Sequence, residues 1–157
     1  MKTLKYVDTL VSFSEVPDEI NLCINISNCP CHCEGCHSSY LAEDIGEKLD
    51  SCSLKELISN NKGITCISFM GGDSNPSEVN ALAKWVKTHC SIKVAWYSGK
   101  QELSKDINLE NFDYIKLGPY IEEFGPLNSK TTNQRFYKVL HTNKNKLVDI
   151  TDRFWKK

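Results

Sequence analysis

A chain of 157 residues, 40% of them hydrophobic, is long enough to bury one core without staples and too short for several. Its 19 lysines and arginines nearly cancel its 20 aspartates and glutamates, which excludes a broad basic field that would hold nucleic acid through phosphate. No run approaches the roughly 18 apolar residues of a membrane span, and residues 1–8 lack the apolar segment of a secretory signal, so one domain with a cytoplasmic address is expected.

Taken in chain order, the residues before Pro17 are expected to pair as strands at the margin of a sheet. Residues 20–26 follow as the first central strand, where Ile20, Leu22, Ile24 and Ile26 alternate with Asn21, Cys23 and Asn25. Ser53 and Glu56 have the Ser-x-x-Glu spacing of a capping box and predict a short helix running toward Asn60. Residues 64–70 (ITCISFM) read as the second strand. Asn75 as N-cap, Pro76 at the first helical position and Glu78 at the third mark the next helix. Its buried stripe is Val79, Leu82, Ala83 and Val86, and it should end near His89. Residues 92–98 (IKVAWYS) and 113–117 (DYIKL) give the third and fourth strands, with a weakly patterned helix between them over 99–112. Residues 136–140 and 146–150 predict a closing hairpin around the polar turn 141–145.

Strands alternating with helices imply right-handed crossovers. The predicted fold is α/β: a partial (β/α) barrel or a curved, mostly parallel sheet with helices on the outside. Ligands of such sheets bind beyond the carboxyl ends of the strands, and the unusual residues collect there. A cysteine cluster follows the first strand after Ser27-Asn28, Gly71-Gly72-Asp73 the second, Ser98-Gly99 the third, and Gly118-Pro119 the fourth. Glycine at such a place lets the backbone approach a ligand or take positive φ, although the same dipeptides also serve as plain turns.

Eight cysteines imply either a disulfide framework or a metal site, and in a reducing compartment clustered thiolates are kept as ligands. Four of them fall in Cys29-Pro30-Cys31-His32-Cys33-Glu34-Gly35-Cys36-His37. Structural zinc usually takes two Cys-x-x-Cys pairs on separate turns; no second pair is present, although three cysteines with His32 or His37 would make a knuckle. Thiolates on one wrapping loop suit an iron–sulfur cluster, and three of them leave one iron open to an outside ligand. The dispersed Cys23, Cys52, Cys66 and Cys90 are expected to be small buried apolar residues.

The spacing Cys29-x3-Cys33-x2-Cys36 after a first strand resembles the signature loop of the radical S-adenosylmethionine enzymes, and Gly71-Gly72-Asp73 resembles their Gly-Gly-Glu segment. Trp96-Tyr97-Ser98-Gly99, Gly118-Pro119-Tyr120-Ile121 and Thr132-Asn133-Gln134-Arg135 are similar, in order, to segments of the anaerobic ribonucleoside-triphosphate reductase activating proteins. The likeness covers about residues 20–137 of a single radical SAM domain spanning 1–157. Three positions depart from the pattern: Gly35 before Cys36, Asp73 in place of Glu, and Leu117 where an acidic residue often stands before Gly118.

What the resemblance implies is a 4Fe-4S cluster on Cys29, Cys33 and Cys36, and S-adenosyl-L-methionine held by Gly71, Gly72 and Asp73 near its amine and by Ser98 and Gly99 near its ribose. No other catalytic side chain is implied. The implied activity is generation of a glycyl radical on anaerobic ribonucleoside-triphosphate reductase, with reduced flavodoxin or ferredoxin as electron donor. Lys116 is a further candidate for the cofactor carboxylate, although a strand lysine usually turns to solvent. Cys31 reads as a spare thiolate or as pointing away, and Asn133, Gln134 and Arg135 as structural or partner-facing. Two alternatives stand beside this reading: a radical SAM enzyme acting on a small molecule, such as a 7-carboxy-7-deazaguanine synthase, or a non-catalytic zinc or iron–sulfur module.

Overall fold

The computed structural model describes residues 4–13, 15–27, 45–142 and 144–155. β-Branched and aromatic residues mark most of the strands: β1 (Leu4–Ser12), β2 (Asn21–Ile26) and β4 (Cys66–Met70), whereas the short edge strand β3 (Glu47–Leu49) has none. β5 (Lys93–Tyr97), β6 (Tyr114–Leu117), β7 (Arg135–Leu140) and β8 (Lys146–Asp149) complete an open eight-stranded sheet of order β3-β1-β2-β4-β5-β6-β7-β8. The four strands predicted for the centre, β2, β4, β5 and β6, run parallel. Antiparallel pairs flank them, β1 with β3 on one side and the hairpin β7–β8 on the other. The fold is thus α/β as expected, with parallel pairing confined to the middle of a mixed sheet.

Helix α2 (Pro76–His89) starts and ends where its residue pattern places it. The Asn75 side chain accepts from Glu78 N, and Val79, Leu82, Ala83 and Val86 are buried. Helix α1 (Ser51–Asn60) starts earlier than the Ser53–Glu56 pairing predicts. Asp50 is the N-cap, and Ser53, at the third position, completes a capping box with it: Ser53 N donates to Asp50 Oδ1 at 2.9 Å and Asp50 N donates to Ser53 Oγ at 2.8 Å. The helix predicted over 99–112 does not form; a 3-10 turn at Leu109–Asn111 is the helical part of that crossover. Short polar side chains hold turns there instead, with Asp106 N donating to Ser104 Oγ at 3.2 Å and Glu110 N to Asn108 Oδ1 at 3.0 Å.

Pleating sends alternate residues to opposite faces of the sheet. Leu22, Ile24, Ile67, Phe69, Val94, Trp96 and Ile115 pack with α1 and α2 into the main core. The opposite face carries Cys66, Ala95, Tyr97, Tyr114 and Phe136, and Val16 seals it as a fully buried plug. The strap around Val16 is pinned on three sides. The Tyr97 hydroxyl donates to Glu15 O, Lys93 pairs with Glu19 at 2.7 Å, and Arg153 pairs with Asp18 at 2.7 Å. Among the described residues no helix is long and apolar enough to cross a membrane.

Candidate functional site

The rim beyond β4, β5 and β6 brings together the residues that the sequence reading placed there. At the end of β4, Gly71 and Gly72 both have positive φ, +111° and +91°. A Cβ on Gly71 would stand 3.1 Å from the Ile26 carbonyl oxygen, and one on Gly72 would stand 2.6 Å from Val79 Cγ2. Both positions therefore require glycine, and the Gly71 backbone lies against the end of β2. Gly71 N donates to Tyr97 O at 3.0 Å, and the Trp96 indole donates to Gly71 O at 2.6 Å. Trp96 thus fixes the glycine turn from β5, a role with no local signal in the sequence because its partner is 25 residues away.

Asp73 is buried and links the β4 and β5 rims. Its Oδ1 accepts from the Ser98 hydroxyl at 2.5 Å and its Oδ2 from Gly99 N at 2.8 Å. Ser98 is also buried, and its Oγ accepts in turn from Lys100 N at 3.0 Å. Lys116 is not turned to solvent as its strand position suggested. It is buried on the face opposite the helices, and its Nζ donates to Gly118 O at 2.7 Å and Ser98 O at 3.2 Å.

The later candidates sort by what they touch. Asn133 Nδ2 donates to Pro119 O at 3.0 Å and Gln134 Nε2 to Gly118 O at 3.4 Å, so both support the turn after β6. Arg135 faces Asp149 across the hairpin at 3.7 Å, with both side chains largely exposed. Of the dispersed cysteines, Cys23 and Cys66 are buried as expected, whereas at helix ends Cys52 is exposed and Cys90 is half-buried against the main core. Burial, with the charge of Glu15 second, pushes the Cys23 thiol up to about 12, and burial raises the Tyr97 phenol as well. Cys23, Cys66 and Tyr97 on the face opposite the helices are therefore uncharged at physiological pH.

The predicted ligands Cys29, Cys33 and Cys36, with Cys31, His32 and His37, lie outside the described residues. Among the described residues no group of three or more His, Cys, Asp or Glu side chains could hold a metal ion. The segment leading into the cysteines is fixed: Ser27 N donates to Lys5 O at 2.9 Å, and Ile26 touches the glycine turn.

In open α/β sheets ligands bind beyond the carboxyl ends of the strands, and here that rim carries the Gly71-Gly72 turn and the Asp73 carboxylate bonded to Ser98 and Gly99. The chain belongs to the 4Fe-4S single cluster domain family, whose model matches residues 20–146. It is an iron–sulfur protein of the 4Fe-4S type. The donors present fit such a cluster: Cys29, Cys33 and Cys36 fall within eight residues of the matched region, and thiolates are the ligands these clusters take. Comparison with curated proteins and with solved structures found no match.

Proposed function

We propose that this chain is a radical S-adenosylmethionine activating enzyme that generates a glycyl radical on anaerobic ribonucleoside-triphosphate reductase. The observation that carries the reading is the rim itself: a Gly71-Gly72-Asp73 turn, hydrogen-bonded to Ser98-Gly99 and lying against the strand that leads into Cys29, Cys33 and Cys36. The three thiolates would ligate three irons of the cluster, leaving the fourth for the amine and carboxylate of S-adenosylmethionine. When bound, such a cluster would supply the single electron for reductive cleavage of the sulfonium–C5′ bond of S-adenosylmethionine.

The chain's own residues bind and orient. Gly71 and Gly72 allow main-chain approach to the methionyl end, and the Ser98-Gly99 turn borders the nucleoside end. Cys23 and Tyr97 stay protonated on the face opposite the helices and add no charge beside a reacting radical. Val16 is fully buried on that face among Cys66, Tyr97 and Phe136. The resemblance to the reductase activating proteins favours a target presented at the rim by another protein, a glycine Cα–H of the reductase, over a small-molecule substrate. Reduced flavodoxin or ferredoxin is the matching electron source.

Anaerobically reconstituted protein, given S-adenosylmethionine and dithionite, should release 5′-deoxyadenosine, and a Cys33→Ala variant should release none. Reconstituted protein with full iron and sulfide content that never forms 5′-deoxyadenosine, with or without the reductase, would overturn the assignment in favour of a structural cluster.

A further inference from the structure

Ser98 and Gly99 are held more completely than a turn needs. Ser98 N donates to Lys116 O at 2.9 Å, and Ser98 O accepts from Lys116 Nζ at 3.2 Å. From the other side, Asp73 accepts from the Ser98 hydroxyl at 2.5 Å and from the Gly99 amide at 2.8 Å. The next residue is tied as well, since Gly118 N donates to Lys100 O at 2.7 Å while Lys116 Nζ reaches Gly118 O at 2.7 Å. A buried anion on the β4 rim and a buried cation on β6 thus grip the dipeptide that follows β5 from both sides.

We infer that Asp73 and Lys116 are positioning residues that act as an opposed-charge clamp, fixing Ser98-Gly99 at the rim by bonding its backbone and hydroxyl. Two arguments favour this over direct charge recognition of a ligand. Each oxygen of the Asp73 carboxylate already accepts a charge-assisted hydrogen bond from that dipeptide, and such bonds are about twice as strong as neutral ones. The side chain is also short: aspartate in place of glutamate keeps the carboxylate against Ser98, where one more methylene would push it outward. The clamp would act on binding by holding Gly99, which is only half-buried, in a single geometry. That last step rests on the proposal that this rim binds S-adenosylmethionine.

Asparagine separates the two roles. In Asp73→Asn the side-chain oxygen can still accept from Gly99 N, and the new NH2 can donate to Ser98 Oγ, so the grip survives while the charge is lost. The test is amide hydrogen exchange over residues 97–100 together with the dissociation constant for S-adenosylmethionine, on reconstituted wild type, D73N, D73A and K116M. The clamp predicts that D73A and K116M lose protection over 98–100 and that D73A binds at least ~10-fold more weakly. It predicts that D73N keeps the protection and recovers most of the affinity that D73A loses. Intact protection in D73N with affinity as poor as in D73A would overturn the inference, because the charge itself would then be what the ligand reads. Unchanged exchange in K116M would overturn the part assigned to Lys116. Where D73A does not fold, wild type is the reference: the clamp then predicts that D73N keeps wild-type protection and binds within about 3-fold of wild type, and a loss of ~10-fold or more with protection intact overturns it. A wild type that binds no S-adenosylmethionine would instead remove the proposed function, and the exchange comparison would still decide the clamp.

Discussion

Glu15 sits where a carboxylate is hard to keep charged: it is half-buried beside the Tyr97 hydroxyl, and burial raises it above the ordinary glutamate value of 4.5. The folded state therefore binds this proton more tightly than the unfolded chain does. The resulting stabilisation is complete below 4.5 and is lost as pH rises through the folded value. Glu15→Gln should flatten the fall in stability just above pH 4.5, read as urea midpoints across a pH series. An unchanged slope would mean that the carboxyl is solvated. The sequence alone did not mark Glu15, and it misplaced Lys116 for the same reason. Alternation along a strand tells which residues share a face but not what covers that face. Lys116 shares its face with Tyr114 and is buried, and the pieces that seal this face, Val16 and Phe136, come from distant parts of the chain.

Elements with local chemistry at their ends were legible, and those decided by distant contacts were not. Asn75, Pro76 and Glu78 state the start of α2 within four residues. The crossover over 99–112 carries apolar residues too, and Leu103, Ile107, Leu109 and Phe112 do reach the core. Their spacing is irregular, and the polar groups of Ser104 and Asn108 hold turns, so a helix would strand part of that set in solvent. The glycine turn after β4 could be read only in part: two adjacent glycines signal unusual backbone, but not that Val79 of α2 stands over Gly72. Gly72→Ala should cost about 1–3 kcal/mol, since a Cβ would meet Val79 Cγ2 at 2.6 Å in a left-handed conformation. A urea denaturation midpoint equal to that of wild type would show that the turn relaxes freely.

At the scale of the whole molecule, the four parallel strands and the rim they share followed from the sequence, whereas β3 and the strap over the helix-free face did not. Three residues of β3 are too few to announce themselves, and the strap has no periodicity. The strap's mooring lies far along the chain. Phe154 stacks edge-on against Phe136 with centroids 4.9 Å apart, next to the Arg153–Asp18 pair. Phe154→Ala should lower stability by about 1–3 kcal/mol, in keeping with its partial burial, and should raise amide exchange over residues 15–19. Exchange confined to residues 150–155 would show that the two segments do not depend on each other.

That mooring also governs when the protein can finish folding. The Asp18–Arg153 bond spans 135 positions and the Glu19–Lys93 bond 74, so the strap waits on partners synthesised long after it. While residues 151–155 are still inside the ribosome, β1 and β2 can pair, but the surface carrying Cys23, Cys66 and Tyr97 has no lid fastened at both ends. A nascent chain would thus hold an apolar, thiol-bearing face open to aggregation and stray oxidants until residues 151–155 emerge.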